Sequence, residues 1–465
     1  MAEFIQQRGV ELSTISPSPV TTQPPSRDES PASSVRRLKD QRAEAEASEL
    51  PPADRGLQAW TFALNAWFLE TMIWGWSFSF GELNLYLATH APFNKSSLAS
   101  IGAVGTVALA IQYMLPLALI SVFRRYPDWA RTMLWAATFT SCGSMLISSW
   151  ASKIWQLILL QGVLCGISGA VLYTPVLIWL QEWWVVRRGM ASGLIFSGTG
   201  VGGFVFPFLL NSLLEKVGFA WTCRVWALIT FVIFGGCVAT LRPRLPAVKP
   251  AVRGPWVTRG TNFSFAWHPT VILMYFITFL SSLSFFPVAV YLSTYVDSLA
   301  SSLSATTVLA VFNAASVVGQ VYVGYLSDQY DKAWIIAGLG IGSALTAFLA
   351  WGFGDTLAKV FGFCILYGIF SSICSTWNAA ARDVAGGDLR ISTTVFSLFG
   401  IFRGIASIVG PMIAASLYDE KHRDQDDGVW GRYGFRGIMI FVGSMALASA
   451  ACGFGLRATK HIKTQ

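Results

Sequence analysis

The stretch GYLSDQYDK, residues 324–332, lies between two long apolar runs, residues 304–326 and 333–353. Each run is long enough to cross a bilayer as a helix, because about 20 apolar residues rising about 1.5 Å each span about 30 Å of hydrocarbon. Gly324 allows two helices to approach closely, since it has no side chain. Asp328 falls at a helix end, where its carboxylate can accept hydrogen bonds from the N-terminus of a neighbouring helix and from arginine or lysine. The stretch therefore predicts a short loop between membrane helices that can fasten one helix to another.

Similar apolar runs recur from Trp60 onward. They predict twelve membrane helices, at residues 59–85, 98–123, 131–150, 154–181, 189–214, 219–241, 270–296, 304–326, 333–353, 357–381, 391–417 and 433–456. The longest internal break divides these spans six and six. We therefore predict an all-α membrane protein with twelve transmembrane helices in two six-helix bundles, at residues 57–241 and 270–457, joined by a cytosolic linker at 242–269.

The composition favours the same class of protein. Hydrophobic residues make up 54% of the chain and charged residues 12%, whereas an average soluble domain carries about 25% charged residues. This argues against a soluble enzyme or a nucleic-acid binder. Residues 1–56 are polar and rich in proline and serine, so we predict a disordered cytosolic tail there. Residues 458–465 form a short cytosolic tail at the other end.

The distribution of lysine and arginine predicts the orientation in the membrane. With the N-terminal tail in the cytosol, the inner segments after it carry sixteen of these residues and the outer segments carry seven. Cytosolic loops are enriched in positive charge, so we predict that both termini are cytosolic, most simply in the plasma membrane. The net charge of +8 then reflects topology and gives no reason to expect nucleic acid as a partner. Asn94, in the sequon Asn94-Lys95-Ser96, is a candidate glycosylation site in an outer loop.

Three motifs carry a resemblance to a known family. The stretch at 324–332 is similar to the loop signature of the major facilitator superfamily, a Gly-x-Leu-Ser/Ala-Asp run that ends span 2 or span 8. DRGLQAW at 54–60 resembles the entry to span 1 of the monocarboxylate transporters, and WWVVRRGMASG at 183–193 resembles their junction of spans 4 and 5. Arg55 stands where that entry has its first glycine. The resemblance implies the superfamily fold, in a monocarboxylate-porter-like branch of fungal type, with two bundles that rock about a central site.

The loops that bear these motifs supply the candidate gate residues. They are Gly324, Asp328, Lys332, Arg187 and Arg188. The loop after span 2 keeps basic residues but lacks the Gly-x-x-x-Asp order. The sequence therefore does not predict a matching contact in the first half of the chain.

Two ionisable residues fall near the middle of apolar spans, where charges are functional candidates by default. Glu70 lies in span 1, and its carboxylate can carry a proton at physiological pH unless it is paired. Arg403 lies in span 11, and a buried guanidinium is costly without an anion. That anion is either a carboxylate of the substrate or Glu70 itself. One hypothesis joins both: Glu70 and Arg403 pair without substrate, and the substrate displaces the pair while Glu70 takes a proton.

Other candidates lie in spans 1, 2, 4, 8 and 10, which face the central cavity in this fold. They are Asn65, Trp74, Gln112, Tyr113, Tyr173, Asn313, Gln320, Trp377 and Asn378. We expect most of them to form hydrogen bonds between helices and about a third to contact substrate.

Glycines and a weak internal repeat predict how the helices pack. Span 5 contains five glycines between residues 193 and 203, which allow close helix packing, and the small residues of span 8 are the expected facing surface. An offset of 200 residues aligns Phe196 with Phe396 and Gly200 with Gly400. Such an offset agrees with a transporter built from two related halves.

The function predicted from these features is secondary active transport of a small organic anion or an amphipathic metabolite. The sequence contains no HExxH, P-loop or Gly-x-Ser-x-Gly motif, so we expect no enzymatic activity, cofactor or metal. The resemblance to fungal members favours efflux of a secondary metabolite. A proton-coupled importer of a monocarboxylate or vitamin-like acid is one alternative, and a transporter-like nutrient receptor is another. The expected partners are the substrate, protons and the lipid bilayer, and a monomer suffices.

Overall fold

The computed structural model describes residues 50–246, 263–299, 302–386, 388–419 and 430–462. Most of the predicted tail at 1–56, residues 247–262 of the predicted linker and residues 463–465 therefore lie outside the described chain. The described residues contain no β-strand. Their helices are α1 (Gly56–Phe78), α2 (Phe80–Thr89), α3 (Leu98–Arg125), α4 (Ala130–Ser148), α5 (Ile154–Trp183), α6 (Arg188–Thr240), α7 (Pro269–Leu299), α8 (Ser302–Gln329), α9 (Lys332–Trp351), α10 (Leu357–Phe370), α11 (Trp377–Ala385), α12 (Leu389–Leu417) and α13 (Arg436–Ile462). The all-α prediction is confirmed for this part of the chain.

Nine helical segments of the described chain are long and apolar enough to cross a membrane. One of them is α6, whose 53 residues are interrupted at Gly218, where φ is 74° and ψ is 173°. Glycine adopts a positive φ without strain, so the chain turns there, within the break predicted between spans 5 and 6. The 23-residue α1 and the 19-residue α4 are also continuous helices but are not among the nine.

Two predicted spans are interrupted, and both interruptions shape the interior. Span 1 was predicted as one helix over 59–85, but α1 ends at Phe78 and α2 begins at Phe80. The hydroxyl of Ser79 donates to the carbonyl of Gly75 at 2.7 Å, which satisfies a carbonyl at the helix end. Span 10 was predicted over 357–381, but α10 ends at Phe370, and a 3₁₀ turn at Ile373–Thr376 precedes α11. Non-helical backbone at membrane depth is tolerated where it is buried in protein or lines a cavity.

Aspartates fix the starts of two helices that follow tight loops. Asp331 accepts a hydrogen bond from the backbone N–H of Ala333 at 2.9 Å, at the start of α9. Asp388 accepts one from the N–H of Arg390 at 2.7 Å, at the start of α12. Each carboxylate satisfies a donor that the helix itself leaves free, and its charge favours the helix N-terminus. The loops can therefore be short, which keeps consecutive helices antiparallel.

Helices α6 and α8 pack so closely that side chains at their glycines would collide with the partner helix. A Cβ on Gly200 would lie 2.7 Å from the carbonyl oxygen of Asn313, and one on Gly203 would lie 2.7 Å from the Cγ atom of the same residue. A Cβ on Gly324 would lie 2.9 Å from the Cα atom of Gly193. The facing surfaces predicted for spans 5 and 8 are thus in contact, and we call this contact the α6–α8 seam.

A second close contact joins α3 and α12. A Cβ on Gly400 would lie 3.0 Å from the carbonyl oxygen of Tyr113, and one on Gly404 would lie 2.9 Å from the Cβ atom of Tyr113. We call this contact the α3–α12 seam. Gly200 and Gly400, which the 200-residue offset aligns, therefore each face a helix of the other half of the chain.

Alanine at Gly324 is expected to destabilise the protein, because its methyl group would force the α6–α8 seam apart. Overpacking of a tight interface costs about 1–3 kcal/mol, so we expect a melting temperature several degrees below that of the unaltered protein in detergent. Gly338→Ala is the matched control, since a Cβ on Gly338 in α9 meets nothing within 4 Å. Equal melting temperatures for the two variants would mean that the seam tolerates side chains.

Candidate functional site

A central cavity of about 800 Å³ is lined by residues from both halves of the chain. Helices α1, α3, α5 and α6 form one side, and α7, α8, α12 and the interrupted segment between α10 and α11 form the other. Phe196 of α6 and Phe396 of α12 meet in its wall, with ring centroids 6.1 Å apart and planes at 26°. The two positions aligned by the sequence repeat are thus neighbours in the cavity.

Glu70 lies in the cavity wall and is buried, with 4% of its surface exposed. The hydroxyl of Thr199 in α6 donates to Oε1 of Glu70 at 3.1 Å. The other carboxylate oxygen, Oε2, is buried and has no hydrogen-bond partner. The indole of Trp74, one turn further along α1, lies beside this carboxylate without hydrogen-bonding geometry. The site therefore leaves one carboxylate oxygen available for a proton or a ligand.

Arg403 is buried in the wall of the same cavity, and its hydrogen-bond partners are neutral. Its Nε donates to the hydroxyl of Tyr113 at 3.0 Å, and its Nη1 donates to the hydroxyl of Ser282 at 3.4 Å. Its guanidinium carbon lies 5.1 Å from the ring centroids of Phe285 and Phe286. Such ring faces attract a cation by their quadrupole. Aromatic rings and hydroxyl groups thus hold the charge in place.

The direct pair of Glu70 and Arg403 that the sequence suggested is not formed in this structure. Both side chains line one cavity, but Arg403 makes its hydrogen bonds to Tyr113 and Ser282. In the part of the chain that the structure describes, ion pairs join Lys332 to Asp383 and Lys359 to Asp355. The cation and the carboxylate are therefore each available to an additional ligand.

Most of the other candidates lie where the sequence placed them. Trp74, Gln112, Tyr113, Tyr173, Asn313, Gln320 and Trp377 all line the cavity. Asn65 and Asn378 do not. The cavity also includes Thr199, Phe285 and Cys374, which sequence reasoning missed. Thr199 could have been found as the neighbour of the span 5 glycines, whereas Cys374 enters the wall through the break in span 10, which the sequence did not reveal.

The candidate gate residues gather at one end of the α6–α8 seam. Asp328 accepts two hydrogen bonds from the first turn of α6, from the N–H of Gly189 at 2.7 Å and from the N–H of Met190 at 2.8 Å. Gly324 packs against Gly193 one turn away. Lys332 does not contact Asp328 but forms an ion pair with Asp383 at 2.8 Å. The carboxylate therefore meets a helix N-terminus, where free N–H groups and the helix dipole favour an anion.

The two motifs that resemble the monocarboxylate transporters meet in space at the same end. The carboxylate of Asp54 accepts hydrogen bonds from three consecutive N–H groups, those of Val185, Val186 and Arg187, at distances of 2.9–3.2 Å. The side chain of Arg187 is exposed. The loop between α5 and α6 thus has its shape set by the residue that precedes α1.

Arg188 begins a buried polar network that joins the two halves. Its Nη1 donates to Oε1 of Gln181 at 2.8 Å, and Nε2 of Gln181 donates to Oδ1 of Asn378 at 2.9 Å. Nδ2 of Asn378 then donates to the hydroxyl of Ser192 at 2.7 Å. Asn378 therefore belongs to this network and not to the cavity. Buried networks of this kind rigidify a structure when every member is satisfied, and this one joins the two halves beside the Asp328 contact.

Asn94, the candidate glycosylation site, lies outside the cavity. Asn94 is exposed, in a short 3₁₀ turn at Phe93–Lys95, so its placement permits modification. Within the described ranges, no group of three or more histidine, cysteine, aspartate or glutamate residues could hold a metal ion.

Comparisons with known proteins agree with the fold. A sequence model of the Major Facilitator Superfamily matches residues 56–411. The Aspyridones efflux protein of Emericella nidulans is 26% identical over 414 residues, which cover 88% of this chain and 79% of that protein. The Fujikurins efflux protein of Gibberella fujikuroi is 26% identical over 425 residues, which cover 89% and 85%. The crystal structure of the human organic anion transporter MFSD10 superposes with a TM-score of 0.64 at 15% identity, over 86% of this chain and 100% of that chain, which shows a shared fold.

Asparagine at Asp328 is expected to open the end of the molecule where the gate residues lie. The amide keeps the shape of the carboxylate but loses its charge and one of the two acceptor oxygens. Hydrogen bonds to a charged group contribute about 1.5–3 kcal/mol, so we expect roughly a tenfold shift toward the open state. The measurement is the rate at which Cys374, retained as the sole cysteine, reacts with an impermeant methanethiosulfonate added on the Asp328 side of sealed vesicles.

Asp355→Asn is the control for this experiment. Asp355 is likewise a partnered aspartate, but it pairs with Lys359 at 2.7 Å in the loop between α9 and α10. We expect its reaction rate to match that of the unaltered protein. An unchanged rate for Asp328→Asn would show that its two hydrogen bonds do not hold this end closed.

Proposed function

The chain belongs to the major facilitator superfamily, and from that premise we propose that it exports an acidic, amphipathic secondary metabolite by alternating access. The observation that carries the proposal is the buried Arg403, which has neutral hydrogen-bond partners and lines one cavity with Glu70. The two fungal relatives are efflux proteins, which supports the direction of transport. The cavity is lined mainly by aromatic side chains with a few polar groups, which is typical of sites for small amphipathic ligands.

Twelve transmembrane helices in two sets of six are part of this proposal. The nine apolar segments become ten when α6 is divided at Gly218, and α1 and α4 complete the twelve. Residues 57–241 and 270–457 would then be the two bundles, joined by the linker at 242–269. The excess of lysine and arginine on one side supports cytosolic termini, and we place the protein in the plasma membrane.

Charge balance suggests how transport is coupled to protons. A substrate anion beside Arg403 neutralises the guanidinium, but a charged Glu70 would leave the loaded cavity with a net charge of minus one. Protonation of Glu70 removes that charge, and a buried site favours neutrality. The substrate anion and a proton on Glu70 would therefore cross the membrane together. The outward gradient of the metabolite, maintained by its synthesis, can drive this step, and the same site run in reverse would serve the alternative of import.

The mechanism requires that one end closes before the other opens. Closure at the Asp328 end joins the halves through Gly189 and Met190. At the far end of α8, the hydroxyl of Thr306 donates to Oε1 of Glu82 in α2 at 3.0 Å, which also joins the halves. The bundles would rock about the central cavity by breaking one of these contacts while the other is kept.

Substitutions at the two buried charges are expected to separate binding from proton coupling. Glu70→Gln mimics the protonated acid, so exchange of labelled organic acid should persist but lose its dependence on an imposed pH gradient. Arg403→Lys loses the planar fork that binds carboxylates by two hydrogen bonds, and we expect exchange to fall by at least tenfold. The measurement is counterflow of a panel of labelled organic acids in proteoliposomes.

Glu215→Gln and Arg131→Lys are the matched controls, because both residues are exposed and lie outside the cavity. Both should behave as the unaltered protein. Normal, pH-dependent exchange in Glu70→Gln and Arg403→Lys would contradict the roles given to these residues. Binding of acids without any counterflow by the unaltered protein would instead favour a receptor.

A further inference from the structure

The cavity has more free hydrogen-bond donors than acceptors. Three buried polar atoms of the cavity wall have no close partner: the indole N–H groups of Trp74 and Trp377 and Oε2 of Glu70. The indole of Trp74 lies beside the carboxylate of Glu70, so the N–H group of Trp377 is the donor left over. Arginine carries five N–H donors, and Arg403 uses two of its nitrogens, Nε and Nη1, toward Tyr113 and Ser282. The guanidinium therefore keeps further donors. A ligand that satisfied this wall would need several acceptor oxygens.

Trp377 and Arg403 bring two kinds of donor to one side of the cavity. The guanidinium carbon of Arg403 lies 5.4 Å from the ring centroid of Trp377. The Trp377 side chain is 4% exposed. A buried N–H group without an acceptor carries a desolvation penalty, which a ligand that accepts its hydrogen bond would remove. A charged donor and a neutral donor thus belong to neighbouring side chains of one cavity wall.

The remaining polar groups of the wall do not offset this excess. Nδ2 of Asn313 donates to the carbonyls of Gly203 and Leu309. Oε1 of Gln112 accepts from Ser77, and Oε1 of Gln320 accepts from the thiol of Cys374. The amide oxygens of Gln112 and Gln320 are therefore already occupied by neighbouring side chains, and the amide nitrogen of Asn313 is itself a donor.

Aromatic rings give the cavity flat walls. Trp74 lies against Tyr113 with ring centroids 4.3 Å apart, and Phe196 stacks on Phe396 at 6.1 Å. Planar ligands bury the most surface between such rings, and offset or edge-to-face contacts add to that burial. The walls therefore favour a ring over a flexible chain.

We propose that the substrate class is a flat, ring-borne organic anion whose negative charge is shared by carbonyl oxygens on separate ring atoms, and that Trp377 selects it over a simple carboxylate. A carboxylate has both oxygens on one carbon, and the planar fork of Arg403 can bind both together, which leaves the indole N–H of Trp377 unmet. An anion spread along one edge of a ring presents oxygens far enough apart to reach Arg403 and Trp377 at once. This inference rests on the proposed function for its cavity, and it names the cargo of that site.

The test compares two probes of similar size, dehydroacetate, an enolised dicarbonyl ring, and benzoate, a ring with one carboxylate. Their dissociation constants are measured by calorimetry on the detergent-purified full chain. We expect the unaltered protein to bind dehydroacetate more tightly. In Trp377→Phe, which keeps an aromatic ring but lacks the N–H group, we expect that preference to fall by about tenfold, since one hydrogen bond to a charged group is lost.

Trp351→Phe is the matched control. Trp351 is also fully buried with an unpartnered indole N–H, but it packs against Tyr295 and Phe363 away from the cavity. Its preference should equal that of the unaltered protein. The ratio of the two constants is the readout, because a general loss of packing in either variant would weaken both probes alike. Size-exclusion profiles show which samples are folded before titration.

Two outcomes would overturn the inference. One is equal or tighter binding of benzoate by the unaltered protein, and the other is an unchanged ratio in Trp377→Phe. Counterflow in proteoliposomes keeps the proposed function separate. Exchange of benzoate without preference for dehydroacetate would refute the substrate class and leave transport standing, whereas preferential binding of dehydroacetate with no counterflow would refute transport and support the substrate class.

Discussion

A guanidinium group buried at the centre of the protein is the feature on which the cavity depends. Removing such a charge from water costs several kcal/mol, and Arg403 recovers part of this through two hydroxyl acceptors and the faces of nearby rings. An acidic side chain in contact with it would stabilise it more but would also compete with an anionic ligand. The neutral hydrogen-bond partners of Arg403 therefore keep a positive charge available to cargo, and the carboxylate of Glu70 is held apart by its bond to Thr199.

Two glycine-lined seams support this arrangement. At the α6–α8 seam and at the α3–α12 seam, backbones approach so closely that added side chains would collide. Without a strong hydrophobic drive between helices in lipid, such close packing is a main source of helix association. The 200-residue offset relates a helix of one seam to a helix of the other, as Gly200 and Gly400 indicate.

The sequence predicted the helical fold well because apolar runs of about 20 residues are typical of membrane-spanning helices. It also identified Glu70, Arg403 and Asp328, since charges within or beside such runs are rare and expensive. It did not reveal the break in span 10, because residues 371–376 (SSICST) contain no glycine or proline that would mark it. For the same reason it missed Cys374. Asn378 was assigned to the cavity, whereas its partners Gln181 and Ser192 are more than 180 residues distant in sequence and are visible only in the folded chain.

The contact at the Asp328 end joins a carboxylate to backbone N–H groups of the other half. The proposed mechanism requires that this contact can break and form again. Asp54 and Asp328 both accept hydrogen bonds from residues 185–190, but Asp54 belongs to the same half of the chain as that loop and Asp328 to the other half. If the halves separate, Asp54 keeps the loop in shape while Asp328 departs. The N–H groups of Gly189 and Met190, like those of any helix N-terminus, can then bond to water. Under the proposed mechanism, opening would therefore exchange one set of hydrogen bonds for another without rebuilding the loop.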